Sequence, residues 1–141
     1  MTKKQEKMQQ NMVQFQMLQA RHQMLRKNME ALVQQLQGIS QTKQTIEDLG
    51  SVKPNTTLVD IGNGNFVQGK IEDSSELIVS IGAGIAIKKS RKDTLKITEG
   101  RIKEMEKTMK GMEKEEQKVV HELRMLQPIL QQEMQEQQSK K

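Results

Sequence analysis

One segment of the sequence has the residue types of a nucleotide site. Gly64 to Lys70 matches the G-x-x-x-x-G-K spacing of a phosphate-binding loop, in which glycine amides and a lysine hold the phosphates. Ile71 follows, where that motif has the Ser or Thr that binds magnesium. The segment also alternates like a strand, whereas a phosphate-binding loop leads into a helix. A β-hairpin is therefore the favoured interpretation.

The two histidines and the many glutamates are the other residues that could do chemistry. An antiparallel helix pair joining Ile46 to the Thr98 region would bring His22 near His121, but two imidazoles without Cys or carboxylate support are a weak metal site. The glutamates form no recognisable dyad, and long helices provide no concave pocket around them. We predict no catalytic residues, no metal site and no cofactor.

Composition argues against an ordinary globular enzyme. The 141 residues are 33% hydrophobic and 1% aromatic, with a mean hydropathy of −0.77, which leaves little apolar material for a compact core. Cysteine is absent, which excludes disulfides and fits a reducing compartment. No apolar run approaches the ~18 residues of a membrane span, and residues 1–10 lack a signal-peptide core. These features predict a cytoplasmic protein that does not contact membranes.

The net charge of +5 is spread along the chain. Basic and acidic residues intermix from Arg101 to Lys118, as on a solvated helix face with intrahelical pairs. A coiled-coil nucleic-acid binder needs a contiguous basic extension, which Lys3, Lys4 and Lys7 provide only faintly. We therefore predict no nucleic-acid partner.

Two long seams of residues step by three and four in alternation, which is the a/d pattern of a coiled coil. The first runs from Phe15 to Ile46, with Met8 and Asn11 extending it, and the second from Leu95 to Leu130, with Met134 continuing it one residue out of phase. At ~1.5 Å per residue the two helices are nearly equal, at about 60 Å. Their connector looks folded, so antiparallel pairing is predicted. The polar seam residues predicted to set its register are Lys43, Thr98 and Glu116.

About forty residues between the seams predict four short strands. The runs are Thr56 to Ile61, Phe66 to Ile71, Glu76 to Ile81 and Ile85 to Lys89, separated by Gly62-Asn63-Gly64, Glu72-Asp73-Ser74-Ser75 and Gly82-Ala83-Gly84. These separators have hairpin turn chemistry, which predicts either a four-stranded meander or two successive hairpins. Gly50 and Pro54 end the first helix. The predicted regions are a helix over 1–50, a β assembly region over 51–92 and a helix over 93–141.

The predicted fold class is α+β: a long antiparallel two-helix coiled coil with a four-stranded, two-hairpin β insert at its closed end. Such a sheet has an apolar face that its own chain does not cover. Edge strands would therefore pair across subunits and close a β-barrel platform. The predicted oligomerisation residues are Val59, Ile61, Val67, Ile71, Leu77, Val79, Ile81, Ile85 and Ile87.

The opposite ends of the two helices are rich in Met and aliphatic residues, several of them off the seam. Because Met is flexible and polarizable, this surface can adapt to many apolar partners. Pro128 within the second helix would kink it or loosen its last turns. The predicted binding residues are Met8, Met12, Val13, Phe15, Met17, Met125, Leu126, Ile129, Leu130 and Met134. Filling of the coiled coil or of a bundle is the alternative, and it weighs equally for Met8, Phe15 and Leu130.

The order helix, two hairpins, helix resembles the α-type subunit of archaeal prefoldin over essentially the whole chain. Leu58-Val59-Asp60-Ile61-Gly62, Ser80-Ile81-Gly82-Ala83-Gly84-Ile85 and the charged second helix carry the resemblance. It implies a hexamer of two α-type and four β-type subunits, with a double β-barrel platform and six coiled coils. Unfolded client proteins would be held at the tips without ATP and passed to a thermosome-type chaperonin. The Gln-rich ends and the net basic charge depart from an idealised member.

A structural coiled-coil scaffold is the alternative function. Open β edges can propagate into filaments as well as close into barrels. A finite measured mass would argue against filaments.

Overall fold

The computed structural model describes residues 2–51 and 56–140. In sequence order, four strands lie between two long helices. The elements are α1 (Lys3–Leu49), β1 (Thr56–Gly62), β2 (Asn65–Lys70), β3 (Glu76–Gly82), β4 (Ile85–Ser90) and α2 (Arg91–Ser139). The predicted α+β class and element order are confirmed, with strand ends shifted by about one residue.

Short polar side chains mark the starts of both helices. At α1, Thr2 and Gln5 exchange two hydrogen bonds between side chain and backbone, which is a capping box. At α2, the Ser90 hydroxyl accepts a hydrogen bond from the Asp93 amide at 3.1 Å, as an N-cap residue does.

At the other end of α1, the Gly50 amide donates to the Glu47 carbonyl, closing the last turn. Pro54, predicted to prevent continuation of the helix, lies outside the described residues. Pro128 lies within α2, which continues to Ser139.

The four described strands form two separate two-stranded antiparallel sheets. In the first hairpin β1 pairs with β2, and Val59 lies opposite Val67. In the second hairpin β3 pairs with β4, and Val79 lies opposite Ile87. Of the two predicted arrangements, the successive hairpins are therefore the one that forms.

The two hairpins repeat the same local structure twenty residues apart. Each has a register shift just before its turn, between Asp60 and Gly62 and between Ser80 and Gly82. The turn residues Gly62, Asn63 and Gly64 have φ of 105°, 52° and 77°, and Gly82, Ala83 and Gly84 have 103°, 52° and 73°. Positive φ throughout explains why glycine flanks both turns.

Ala83 should therefore be a weak point of the second turn. An alanine at φ 52° brings its Cβ close to the carbonyl oxygen, whereas asparagine, found at the matching position Asn63, tolerates this region. We expect Ala83→Asn to raise the free energy of unfolding by about 0.5–1 kcal/mol, and Asn63→Ala to lower it by a similar amount. Urea unfolding of both full-length variants measures this, and equal effects of the same sign would contradict it.

The connector between the hairpins is held by local hydrogen bonds. The Asp73 carboxylate accepts from the Ser75 hydroxyl at 2.6 Å and from the Ser75 amide at 2.8 Å, and these bonds lower the pKa of Asp73. The Ser75 carbonyl in turn accepts from the Arg91 amide at 2.7 Å. This connector therefore hydrogen-bonds directly to the first residue of α2.

The chain divides into two compact units. The first is Met1–Gln34 with Glu106–Lys141, and the second is Gln35–Met105 with both hairpins. In the first unit the apolar core consists of Leu25, Val119 and Leu130. In the second, Ile46, Thr94 and Thr98 are buried.

Within each unit α1 and α2 run antiparallel, as predicted. In the first unit Asn11 contacts Glu133 while Arg26 contacts Glu116, so partner numbers fall as α1 advances. In the second, Lys43 contacts Glu99, and Gly50 lies against the Arg91 side chain.

The predicted seam of α1 is confirmed by burial. From Met8 to Ile46, every α1 residue that is not exposed falls on the alternating three-and-four pattern. One exception to the predictions lies near the end of α2, where Glu133 occupies the seam and Met134 is exposed. The reason is phase: Glu133, three residues after Leu130, continues the three-and-four pattern and Met134 does not. The Asn11 side-chain amide donates to one Glu133 carboxylate oxygen at 3.0 Å, whereas within the described residues the buried Oε2 has no hydrogen-bond partner.

Candidate binding and assembly surfaces

An exposed apolar surface lies in the first unit, near both ends of the chain. Its members lie off the seam, where the partner helix does not cover them. Met17 is 68% exposed and Met125 is 61% exposed. We call this set the terminal apolar surface; it comprises Met12, Val13, Met17, Met125, Ile129 and Met134. All six are among the predicted binding residues.

The other four predicted binding residues lie closer to the seam. Met8, Phe15 and Leu126 are half-buried, and Leu130 is buried. Leu130 therefore serves the helix pair first, which is the alternative that the sequence left open for it.

Phe15 and Leu130 form part of a hollow of about 320 Å³ between the two helices, which we call the terminal groove. Met12 and Met134 also border it, and four glutamines complete its lining. The glutamines are Gln16, Gln19, Gln127 and Gln131. The sequence showed Gln-rich ends without indicating this position for them.

Two further hollows collect other residues of the set. One, lined by α1 residues alone, contains Val13 and Met17 together with Gln9, Gln10 and Gln14. The other contains Met125, Leu126, Ile129 and His121. Both helices thus contribute apolar side chains with glutamine neighbours to one region of the first unit.

A polar layer interrupts the seam next to this region. Glu116 Oε1 lies 3.6 Å from Arg26 Nη1 and 4.0 Å from His22 Nε2, while within the described residues its buried Oε2 has no hydrogen-bond partner. Arg21 and Glu115 form an exposed ion pair beside it. A seam carboxylate of this kind restricts register at a cost in stability.

The other polar seam residues predicted to set register behave differently. Lys43 Nζ lies 3.7 Å from Glu99 across the helix pair and 3.9 Å from Glu47 on its own helix. The buried Thr98 hydroxyl donates to the Thr94 carbonyl at 2.9 Å, so this hydrogen bond stays within α2.

Within the described residues, neither histidine belongs to a metal-ligand cluster. His22 lies against Glu116, and His121 is exposed. Among residues 2–51 and 56–140, no group of three or more His, Asp or Glu side chains could hold a metal ion.

The segment with phosphate-loop spacing is part of the first hairpin. Gly64 lies in the turn, Gly69 and Lys70 lie in β2, and no helix starts there. The amides of Gly69 and Lys70 thus lie in a strand and not at a helix start, so the hairpin interpretation is confirmed.

Within residues 2–51 and 56–140, no helix is long and apolar enough to cross a membrane.

The hairpins carry a second exposed apolar surface. The opposed pairs Val59–Val67 and Val79–Ile87 place apolar side chains on one face of each hairpin. Of the predicted oligomerisation residues, Val59, Ile61, Val67, Ile81, Ile85 and Ile87 are exposed, while Ile71, Leu77 and Val79 are half-buried.

Sequence reasoning missed apolar residues on the opposite faces of the hairpins. Leu58, Phe66 and Ile78 are 64%, 56% and 74% exposed. The adjacent apolar residues Leu58-Val59 and Ile78-Val79 were the available signal, because consecutive side chains of a strand point to opposite faces. Both faces of these hairpins thus carry apolar area.

The family model described as Prefoldin subunit matches residues 18–136. Prefoldin subunit alpha 1 from Thermococcus kodakarensis is 42% identical over 92 residues, 64% of this chain and 63% of that protein. Prefoldin subunit alpha from Thermococcus onnurineus is 38% identical over 107 residues, 74% of this chain and 72% of that protein. The match to the first of these relatives thus spans just under two thirds of its length.

Among solved structures, the chain is similar to filamentous PFD from Methanocaldococcus jannaschii, determined by cryo-EM. The TM-score is 0.70 at 22% sequence identity, covering 79% of this chain and 93% of that one. At this identity the likeness shows the fold alone.

Proposed function

Because this chain belongs to the prefoldin family, as an archaeal α-type subunit, we propose that it captures unfolded proteins as part of an ATP-independent chaperone. Prefoldin family proteins are chaperones and not enzymes. The observation that carries the proposal is the terminal apolar surface, which leaves Met17 and Met125 mostly exposed. A protein with so little core would bury such residues if they served only stability.

Capture would proceed through many weak contacts. The flexible thioethers of Met12, Met17, Met125 and Met134 adapt to different apolar side chains, so no single client sequence is required. Several arms acting together raise the effective affinity without any stronger individual contact. Binding of this kind is reversible and needs no nucleotide.

Assembly would use the hairpins. Exposed apolar faces and open edge strands on both sheets support pairing with β-type prefoldin subunits, in the expected ratio of two α to four β. The strands would close into a β-barrel platform, and the helix pairs would extend from it. The proposal also includes a cytoplasmic location and transfer of clients to a thermosome-type chaperonin. Family membership supports both.

A filament-forming scaffold is the second candidate. Two observations favour it: both described sheets have open edges, and a structural neighbour is a filamentous prefoldin. Heterologous pairing of hairpins would propagate instead of closing.

The test is aggregation suppression of a denatured model protein without ATP. The full chain is assayed alone and with a β-type subunit, with mass measured by light scattering. We expect suppression to appear or strengthen together with a discrete mass near that of a hexamer. A finite assembly without suppression would overturn the chaperone proposal, and an open-ended mass distribution would favour the filament.

A further inference from the structure

The glutamines of the chain ends occupy specific places in the binding region. Seven lie between Gln5 and Gln23 and six between Gln127 and Gln138. The terminal groove is lined by four apolar side chains and four glutamines, with no charged residue. Its composition differs from the mixed charges of the middle of α2.

Helix stability does not explain this choice of residue. Gln, Glu and Lys have nearly equal helix propensities, and charged residues give an exposed surface more solubility than neutral ones. What distinguishes a carboxamide is that it both donates and accepts hydrogen bonds, whereas an ammonium only donates and a carboxylate only accepts.

The groove carboxamides are available for an incoming chain. Gln5 and Gln44 have partners within the protein, in Thr2 and Asp48. Within the described part of the chain, the side chains of the four glutamines of the terminal groove have no hydrogen-bond partner.

An unfolded polypeptide needs both kinds of hydrogen-bonding group. When one of its apolar side chains enters a groove, the neighbouring backbone N–H and C=O groups lose water and become costly unless they find partners. A folded protein has already paired these groups within its helices and sheets, so it gains no hydrogen bonds by binding to the groove.

We propose that the glutamines of the terminal groove bind the backbone of client segments, which makes the groove selective for extended polypeptide with unpaired amides. Apolar client side chains pack on Phe15, Met12 and Met134, while the carboxamides pair with the adjacent backbone. This inference rests on the proposed function and specifies its substrate: apolar segments without their own backbone hydrogen bonds.

The dimensions fit such a segment. Met12 to Gln19 spans ~10 Å along α1, which matches about three residues of extended chain. The neighbouring hollow on α1 runs from Glu6 to Arg21, or ~22 Å, which matches about seven. A client of roughly that length can remain extended along the helix.

The experiment compares two probes on the full-length protein. One is a labelled ten-residue peptide of alternating leucine and serine; the other is its depsipeptide, in which esters replace alternate amides and remove N–H donors. We expect wild-type protein to bind the peptide about tenfold more tightly than the depsipeptide, by fluorescence anisotropy, because one or two net hydrogen bonds are lost. In the triple variant Gln16→Ala, Gln19→Ala, Gln131→Ala this ratio should fall to about one.

A matched variant controls for loss of glutamine as such. Gln35→Ala, Gln37→Ala and Gln41→Ala change three exposed α1 glutamines of the second unit and should keep the tenfold ratio. Circular dichroism checks that all variants remain helical.

The outcomes separate this inference from the function on which it rests. Equal binding of both probes by wild-type protein, or an unchanged ratio in the triple variant, would overturn the backbone-binding role alone. Failure of wild-type protein to bind either probe would overturn the chaperone proposal as well if aggregation suppression is also absent, and the backbone-binding role alone if suppression persists. If the triple variant changes the oligomer mass but keeps the wild-type ratio of peptide to depsipeptide affinity, the groove contacts a second copy of this chain. That outcome would also overturn the inference.

Discussion

Val79→Asp should abolish assembly with β-type subunits while leaving the long helices folded. Val79 lies opposite Ile87 on the face of the second hairpin that we assign to assembly. In the free chain Val79 is only half-buried, so a carboxylate there can still reach water. In a closed barrel it would be buried without a partner, at a cost on the order of several kcal/mol per subunit. Light scattering should show loss of the high-mass species, with unchanged helical circular dichroism.

Ser80→Asp is the matched control for Val79→Asp. It introduces the same charge one residue later, opposite Ala86 and therefore on the other face of the hairpin. We expect this variant to keep most of the assembled mass. If both variants dissociate, the strand and not one of its faces is the determinant; if Val79→Asp assembles normally, the barrel assignment is wrong.

The helices were the most predictable part of this protein. A single partner helix imposes one seam, so a strict three-and-four spacing from Met8 to Ile46 suffices to identify the buried side of α1. The prediction failed only near the end of α2, where Met134 was added to the seam one residue out of phase. Apolarity favoured Met134, but the three-and-four spacing places Glu133 in the seam, where the Asn11 side-chain amide donates to one of its oxygens.

Hairpin geometry was also predictable, because Gly62-Asn63-Gly64 and Gly82-Ala83-Gly84 have few backbone conformations available. The sequence was a poorer guide to which faces of the strands carry exposed apolar side chains. Alternation selected Val59 and Val79 but passed over Leu58 and Ile78, since period-two reasoning assumes one solvated face.

The candidate site was predictable as a set of residues but not as a surface. Off-seam methionines are visible in the sequence, whereas Leu130, in the same stretch, is buried by the helix pair. The arrangement of glutamines around the terminal groove depends on residues of α1 and α2 that are about 110 positions apart in sequence, such as Gln16 and Gln127. Only the antiparallel register brings them together.

Val13→Ala combined with Met17→Ala should weaken client capture about tenfold. Val13 and Met17 are 51% and 68% exposed and lie outside the seam, so alanine preserves both the helix and its pairing. Together they lose about five methylene-sized groups; at ~0.8 kcal/mol for each one fully buried, partial coverage by a client removes roughly 1.5–2 kcal/mol. Titration of the assembled oligomer with a labelled unfolded protein measures the affinity.

The chain supplies a closely matched control for this pair. Met24→Ala combined with Val33→Ala removes the same two side chains from the same helix, where they are 52% and 44% exposed. Because neither belongs to the terminal apolar surface, this variant should bind clients as wild type does. Equal weakening by both pairs would mean that capture depends on total exposed apolar area along α1. Weakening by the Val13 and Met17 pair alone, at constant oligomer mass, would place capture at the chain ends and separate it from assembly by the hairpins.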